Sequence, residues 1–140
     1  MTTPGRLFCF GLGYTAARLA ARVAAEGWSV AGTCRDGEHR QRLMREGYDV
    51  SLFSRDMPLD GGILAGATHV LSSIPPDESG DPVLDLLGYE ICRSEVLKWV
   101  GYLSTTGVYG DAGGDWVDEQ SMCNPTSLRS RRRLAVEQAW

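Results

Sequence analysis

The sequence predicts an α/β fold, a doubly wound parallel sheet with helices on both faces. Three observations carry this. Short apolar runs alternate with amphipathic stretches along the chain, and a glycine-rich turn joins the first run to the first amphipathic stretch. The 140 residues, 43% hydrophobic and 23% charged, suffice for one core and one domain, residues 1–140.

The first strand is the apolar run Arg6–Phe10, which stops at Gly11. Ala16, Leu19, Ala20 and Val23 then recur at helical spacing opposite Arg18, Arg22 and Glu26, and Gly27 ends that helix. Residues 29–34, small and β-branched, form a second strand, and 38–46 a polar second helix closed by Gly47. A weaker strand covers 49–53. A stronger one covers 69–73 and stops at Pro75-Pro76. Asp81-Pro82 supplies an N-cap and a first-turn proline for a helix through about Leu97. A fifth strand, 99–104, precedes a turn-rich segment, 107–114, and a last helix begins near Ser127 and still runs at Trp140. A helix in mid-course at the final residue predicts a truncated chain, since domain ends usually carry a cap or a polar tail.

Charge and cysteine usage narrow the partners. A net charge of −4 is the wrong sign for covering a phosphate backbone, so no nucleic-acid partner is expected. No apolar run approaches a membrane span and no secretory leader is visible, which predicts a soluble, cytoplasmic protein without a membrane partner. Cys9, Cys34, Cys92 and Cys123 are scattered and read as reduced thiols, and no metal site is expected.

Gly11-Leu-Gly13-Tyr14-Thr15-Ala16 lies between the first strand and the first helix, the context in which this spacing acquires meaning. Gly11 permits a tight turn. Gly13 has no Cβ to keep a pyrophosphate from the helix N-terminus, and Ala16 lets helix and strand pack closely. The pattern predicts dinucleotide binding on a Rossmann-type sheet. At the end of the second strand, Cys34 stands where an acidic residue would hold both ribose hydroxyls of NAD, and Arg35 follows it. A guanidinium there suits a 2′-phosphate, which favours NADP with Arg40 as a helper; NAD is the alternative, with Asp36 on the ribose. Ser72, Ser73, Ile74 and Pro75 are expected as cofactor walls, and Phe53 and Ser54 as neighbours of the adenine.

Tyr102-Leu-Ser-Thr-Thr-Gly-Val-Tyr-Gly-Asp111, with Glu119, Asn124-Pro125-Thr-Ser127 and Leu134-Ala-Val-Glu137-Gln after it, resembles the extended and atypical short-chain dehydrogenase/reductases. More narrowly it is similar to their NAD(P)-dependent epimerase/dehydratase-like group, whose best-known members are sugar-nucleotide epimerases. The resemblance runs in register over essentially the whole chain. It implies that Thr105, beside Ser104, polarises a substrate carbonyl or hydroxyl. It also implies a proton-transferring Tyr and a Lys one turn later, and these positions are Arg129 and Arg133. Arginine stays protonated and cannot act as a base, although two guanidiniums on one helical face can clamp an anion or stabilise an oxyanion. The alternative for Arg129, Arg131, Arg132 and Arg133 is a solvated basic helix start. Tyr109 is the nearby phenol, but the matching family tyrosine is not the proton donor.

The resemblance implies an NADP-dependent oxidoreductase or sugar-nucleotide epimerase-like enzyme acting on a nucleotide-sugar or carbonyl compound. The rival is a non-catalytic dinucleotide-binding redox sensor. Family members are about twice this length, so the substrate lobe is expected to be missing and the isolated chain to be inactive. The helices matching 81–97 and 126–140 pack as a dimeric four-helix bundle in the family, which makes a homodimer the expected assembly.

Overall fold

The computed structural model describes residues 3–140. Five strands form one parallel sheet in the order β3-β2-β1-β4-β5: β1 Arg6–Phe10, β2 Ser29–Cys34, β3 Asp49–Leu52, β4 His69–Ser72 and β5 Trp99–Tyr102. The helices are α1 Tyr14–Ala25, α2 Gly37–Arg45, α3 Pro82–Arg93 and α4 Leu128–Ala139. The chain reverses its direction of travel between β1 and β4. Such a switch point opens a crevice at the carboxyl ends of the strands.

Alternation along β1 builds both faces of the core. Leu7 and Cys9 pack with Leu12, Ala16, Ala20 and Leu43 on the side of α1 and α2. Phe8 and Phe10 pack with Phe53, Val83, Leu87 and Ile91 on the side of α3, joined by Trp140 from the end of α4. Phe10 is fully buried and meets Phe8 and Phe53 at ring-centroid distances of 4.8 and 5.7 Å. Burial of one such ring contributes about 1.5–3 kcal/mol.

Several boundaries differ from expectation. α3 ends at Arg93, not near Leu97, because Ser94 turns extended (ψ 118°) and its hydroxyl accepts the Leu97 amide. β5 ends at Tyr102, after which Leu103 N–H still reaches Ser72 O at 2.9 Å. β3 and β4 each stop one residue early, and two 3-10 turns are added, Gly61–Leu64 before β4 and Thr106–Tyr109 at the start of the turn-rich segment. α4 begins after Ser127, whose hydroxyl accepts the Ser130 amide, and closes against the core through Trp140.

Candidate functional site

The glycine turn is held from two strands. Gly11 has φ +84°, a left-handed conformation open to glycine, and a Cβ there would lie 2.9 Å from Ser73 Oγ. Its amide donates to Thr33 Oγ1 at 3.0 Å, Leu12 N–H donates to Thr33 O at 2.8 Å, and Ser73 Oγ donates to Gly11 O at 2.7 Å. Gly32 also supports this crossing, since a Cβ on it would sit 2.5 Å from Cys9 O.

Gly13 is the N-cap of α1. It offers no capping side chain, the first turn contains no acidic residue, and a Cβ on Gly13 would meet nothing within 4 Å. The first amide groups of a 12-residue helix are therefore uncapped from within the chain, and the positive end of the helix dipole faces open space. Tyr14 and Thr15 are exposed beside it, with Arg18 lying 5.4 Å from the Tyr14 ring centroid. Ala16 is buried against the sheet, as the close helix–strand packing requires.

A cleft of about 500 Å³ opens at this point, with Gly11, Gly13, Arg35, Phe53, Ser54, Ser73, Ile74 and Pro75 among its walls. The structure thus brings together most of the residues expected to hold the cofactor. Ser72 is a correction: it is fully buried at the end of β4, its hydroxyl has no hydrogen-bond partner, and it does not line the cleft. Its side chain falls on the Phe10 side of the sheet, where β4 alternation must put it.

At the far end of the cleft Arg35 is exposed. Asp36 caps α2, accepting the His39 amide at 2.8 Å on Oδ1. Arg40 is a second correction as a cofactor helper, because its Nε donates to Val50 O at 2.7 Å and pins α2 to β3. Burial pushes the Cys34 thiol up, so it sits in the cleft wall as a neutral group, its Sγ–H donating to Asp36 O at 3.4 Å. The pattern in the sequence did not signal Thr33, His39, Arg55, Asp77 or Pro82, which line the cleft through long-range folding.

The second group of expected residues lies at the end of β5. Thr105 is half-buried, and its hydroxyl accepts the Gly107 amide at 3.2 Å to cap the following 3-10 turn. Ser104 Oγ donates to Glu137 Oε2 at 2.5 Å. Arg133 does not pair with Arg129 in an open clamp. Its Nε donates to Tyr102 Oη at 2.7 Å and its Nη2 to Leu103 O at 3.1 Å, so it ties α4 to β5. Burial raises the Tyr102 phenol although the Arg133 guanidinium pulls it down, which leaves it protonated near neutrality. Tyr109 is likewise raised by burial and surrounding negative groups. Arg129 is exposed and makes no hydrogen bond or ion pair among the described residues.

Among the described residues no group of three His, Cys, Asp or Glu is placed to hold a metal ion, and no helix is long and apolar enough to cross a membrane.

No protein-family model and no curated protein matches the chain. Solved structures do. A conserved protein of unknown function from Silicibacter pomeroyi DSS is 44% identical, with a TM-score of 0.85 over 97% of this chain and 47% of its own. UDP-glucuronic acid 4-epimerase from Bacillus cereus, in complex with NAD, superposes with a TM-score of 0.69 at 16% identity over 95% of this chain and 50% of its own. A UDP-galactose 4-epimerase gives 0.69 at 17% identity over 96% and 50%. The chain spans about half the length of these structures. In fold, the chain shares with these structures a five-stranded parallel Rossmann-type sheet.

Proposed function

We propose that this chain is the cofactor-binding half of an NADP-dependent oxidoreductase or sugar-nucleotide epimerase-like enzyme. The observation that carries the reading is the uncapped N-terminus of α1 at Gly13, opening onto a cleft with Arg35 exposed among its walls. Free amides and a positive dipole end suit a pyrophosphate, and the Gly11–Gly13 backbone can approach one closely because neither residue has a side chain. The Arg35 guanidinium supplies a charge-assisted partner for a 2′-phosphate. Asp36 already spends one carboxylate oxygen on α2, which weakens its claim on a ribose. Ile74 and Pro75 offer an apolar wall to the nicotinamide half. When bound, the nicotinamide ring accepts or donates hydride.

For the chemistry, Thr105 uses a lone pair on the Gly107 amide and keeps its O–H free to donate to a substrate oxygen. Arg129 presents an unengaged guanidinium for a phosphate or carboxylate of a nucleotide-sugar or carbonyl substrate. Arg133 positions the end of β5. The commitment of Arg133 to Tyr102 also favours a second reading, a non-catalytic redox sensor, because it leaves no Tyr–Lys pair for proton transfer. NADPH consumption with a carbonyl substrate by a version extended to the length of its relatives separates the two. The exposed Tyr89 on α3 and Leu128 on α4 support a homodimer through these helices.

The deciding experiment titrates the chain with NADPH and NADH, read by tryptophan fluorescence, with Arg35→Ala in parallel. NADPH should bind more tightly, and Arg35→Ala should weaken NADPH selectively by about tenfold or more. Absence of binding by either nucleotide would overturn the reading.

A further inference from the structure

An ionic cluster borders the same cleft. Arg55 follows β3 in the turn closed by the Ser54–Met57 bridge. Its Nε donates to Asp77 Oδ2 at 2.7 Å and its Nη2 to Asp77 Oδ1 at 3.0 Å, a two-pronged contact. The same Nη2 lies 2.8 Å from Asp85 Oδ2, in the first turn of α3. Asp77 is itself held by the amides of Ser79 and Gly80, at 2.8 and 3.1 Å.

Arg55 and Asp77 both line the cleft, Arg55 in the segment after β3 and Asp77 in the segment after β4. Ser54 and Asp56 flank Arg55 on the β3 side, whereas Ile74 and Pro75 lead to Asp77 on the β4 side. One guanidinium therefore ties the loop after β3 to the loop after β4 and reaches α3 as well. With two carboxylates around one cation, the cluster is net negative and unsuited to receiving a phosphate. Its effect on a ligand must come through the geometry of the walls.

We propose that the Arg55–Asp77–Asp85 cluster is a clamp that sets the width of the cleft and thereby its affinity for a nucleotide. The inference rests on the dinucleotide reading above. Side-chain exposures of 31% for Arg55, 42% for Asp77 and 43% for Asp85 leave the pairs wetted and screened. Because the clamp holds the β3 and β4 loops at one separation before a ligand arrives, breaking it adds the cost of ordering those loops to binding. Arg55 is thus a positioning residue.

The test measures NADPH and NADH affinity of the purified chain by tryptophan fluorescence for wild type, Arg55→Lys, Arg55→Gln, Asp77→Asn and the double variant. Arg55→Gln and Asp77→Asn should each lose roughly 5- to 20-fold in affinity, with the double variant no worse than either. Arg55→Lys keeps the charge without the fork and should fall between. The thermal midpoint should move little, since the pairs are exposed, whereas a purely structural role would move stability and leave affinity of the folded protein intact. Should Arg55→Gln fail to fold, the near-isosteric Asp77→Asn and Asp85→Asn decide on the same criterion. Wild-type binding with unchanged affinity in the folded variants overturns the clamp and leaves dinucleotide binding standing. Failure of the wild type to bind either nucleotide overturns both.

Discussion

The indole Nε1–H of Trp140 donates a 2.7 Å hydrogen bond to Oδ2 of Asp81, a buried carboxylate that also caps α3 through the amides of Val83 and Leu84. Trp140 further stacks on Tyr102, with centroids 6.1 Å apart and planes 10° from parallel. One residue at the end of α4 thereby joins α3, β5 and α4. Asp81→Ala removes a helix cap and an indole acceptor together and should cost about 2–4 kcal/mol. Trp140→Phe keeps an aromatic ring but strands a buried carboxylate oxygen and should cost about 1–3 kcal/mol. Urea unfolding of both singles and the double variant checks this; additive losses would show that the bond contributes nothing.

The two glycines of the turn should respond in opposite ways. Gly11→Ala places a side chain at φ +84° and against Ser73, so stability should drop by about 1–3 kcal/mol. A Cβ at Gly13 would meet nothing within 4 Å and φ is −82°, so Gly13→Val should cost no more than about 1 kcal/mol of N-cap preference while losing nucleotide affinity at least about tenfold. Calorimetry paired with fluorescence titration distinguishes the two. A Gly13→Val protein with wild-type affinity would show that the helix N-terminus is not the phosphate site.

Arg129 and Arg133 should separate in the same manner. Arg133→Ala leaves the Leu103 carbonyl and the Tyr102 hydroxyl without their partner and should destabilise by about 1–3 kcal/mol. Arg129→Ala, on an exposed face, should stay within about 0.5 kcal/mol of wild type in urea unfolding. Equal losses would contradict the assignment of Arg133 to structure.

Thiol chemistry offers a check on the core. Burial pushes the Cys9 thiol up to about 12 and also raises Cys34, whereas Cys92 and Cys123 are exposed. Iodoacetamide at pH 8 should label Cys92 and Cys123 quickly, and Cys9 and Cys34 only after unfolding, because the thiolate is the reacting form. Mass spectrometry of a time course reads the order directly, and early labelling of Cys9 would contradict the burial of β1.

His69 lies 4.6 Å from the ring of Trp28 and 6.2 Å from that of Trp99, centroid to centroid. Burial, and then the charge of Lys98, lower its affinity for a proton below the 6.5 of a free histidine. A base depressed in the folded state contributes stability above the unfolded value, and this is lost as pH falls through the folded one. The chain should therefore lose stability on acidification below about pH 6.5, with an NMR midpoint for His69 under that value. A midpoint at or above it would contradict the aromatic packing.

Local patterns made the strands and helices legible. Short apolar runs located the five strands, helical spacing located α1, and Asp81-Pro82, Gly27 and Gly47 marked helix ends by their intrinsic backbone preferences. The Gly11–Ala16 turn was readable for the same reason, since the requirement for missing side chains is written in the residues themselves. Ser94 was not, because an ordinary serine ends α3 only where the following chain turns back toward β5.

Residue identity thus established the α/β class, the strand–turn–helix start and the position of each candidate side chain along the chain. Folding decided which of those side chains are free. Arg133, Arg40 and Ser72 look available in the sequence, yet Tyr102, Val50 and the Phe10 face of the sheet claim them. Arg55 and Asp77, unremarkable in the sequence, meet across 22 residues to tie the loops after β3 and β4. Periodicity follows from the backbone geometry of each segment, whereas hydrogen bonds and ion pairs between distant residues depend on where the sheet places their neighbours.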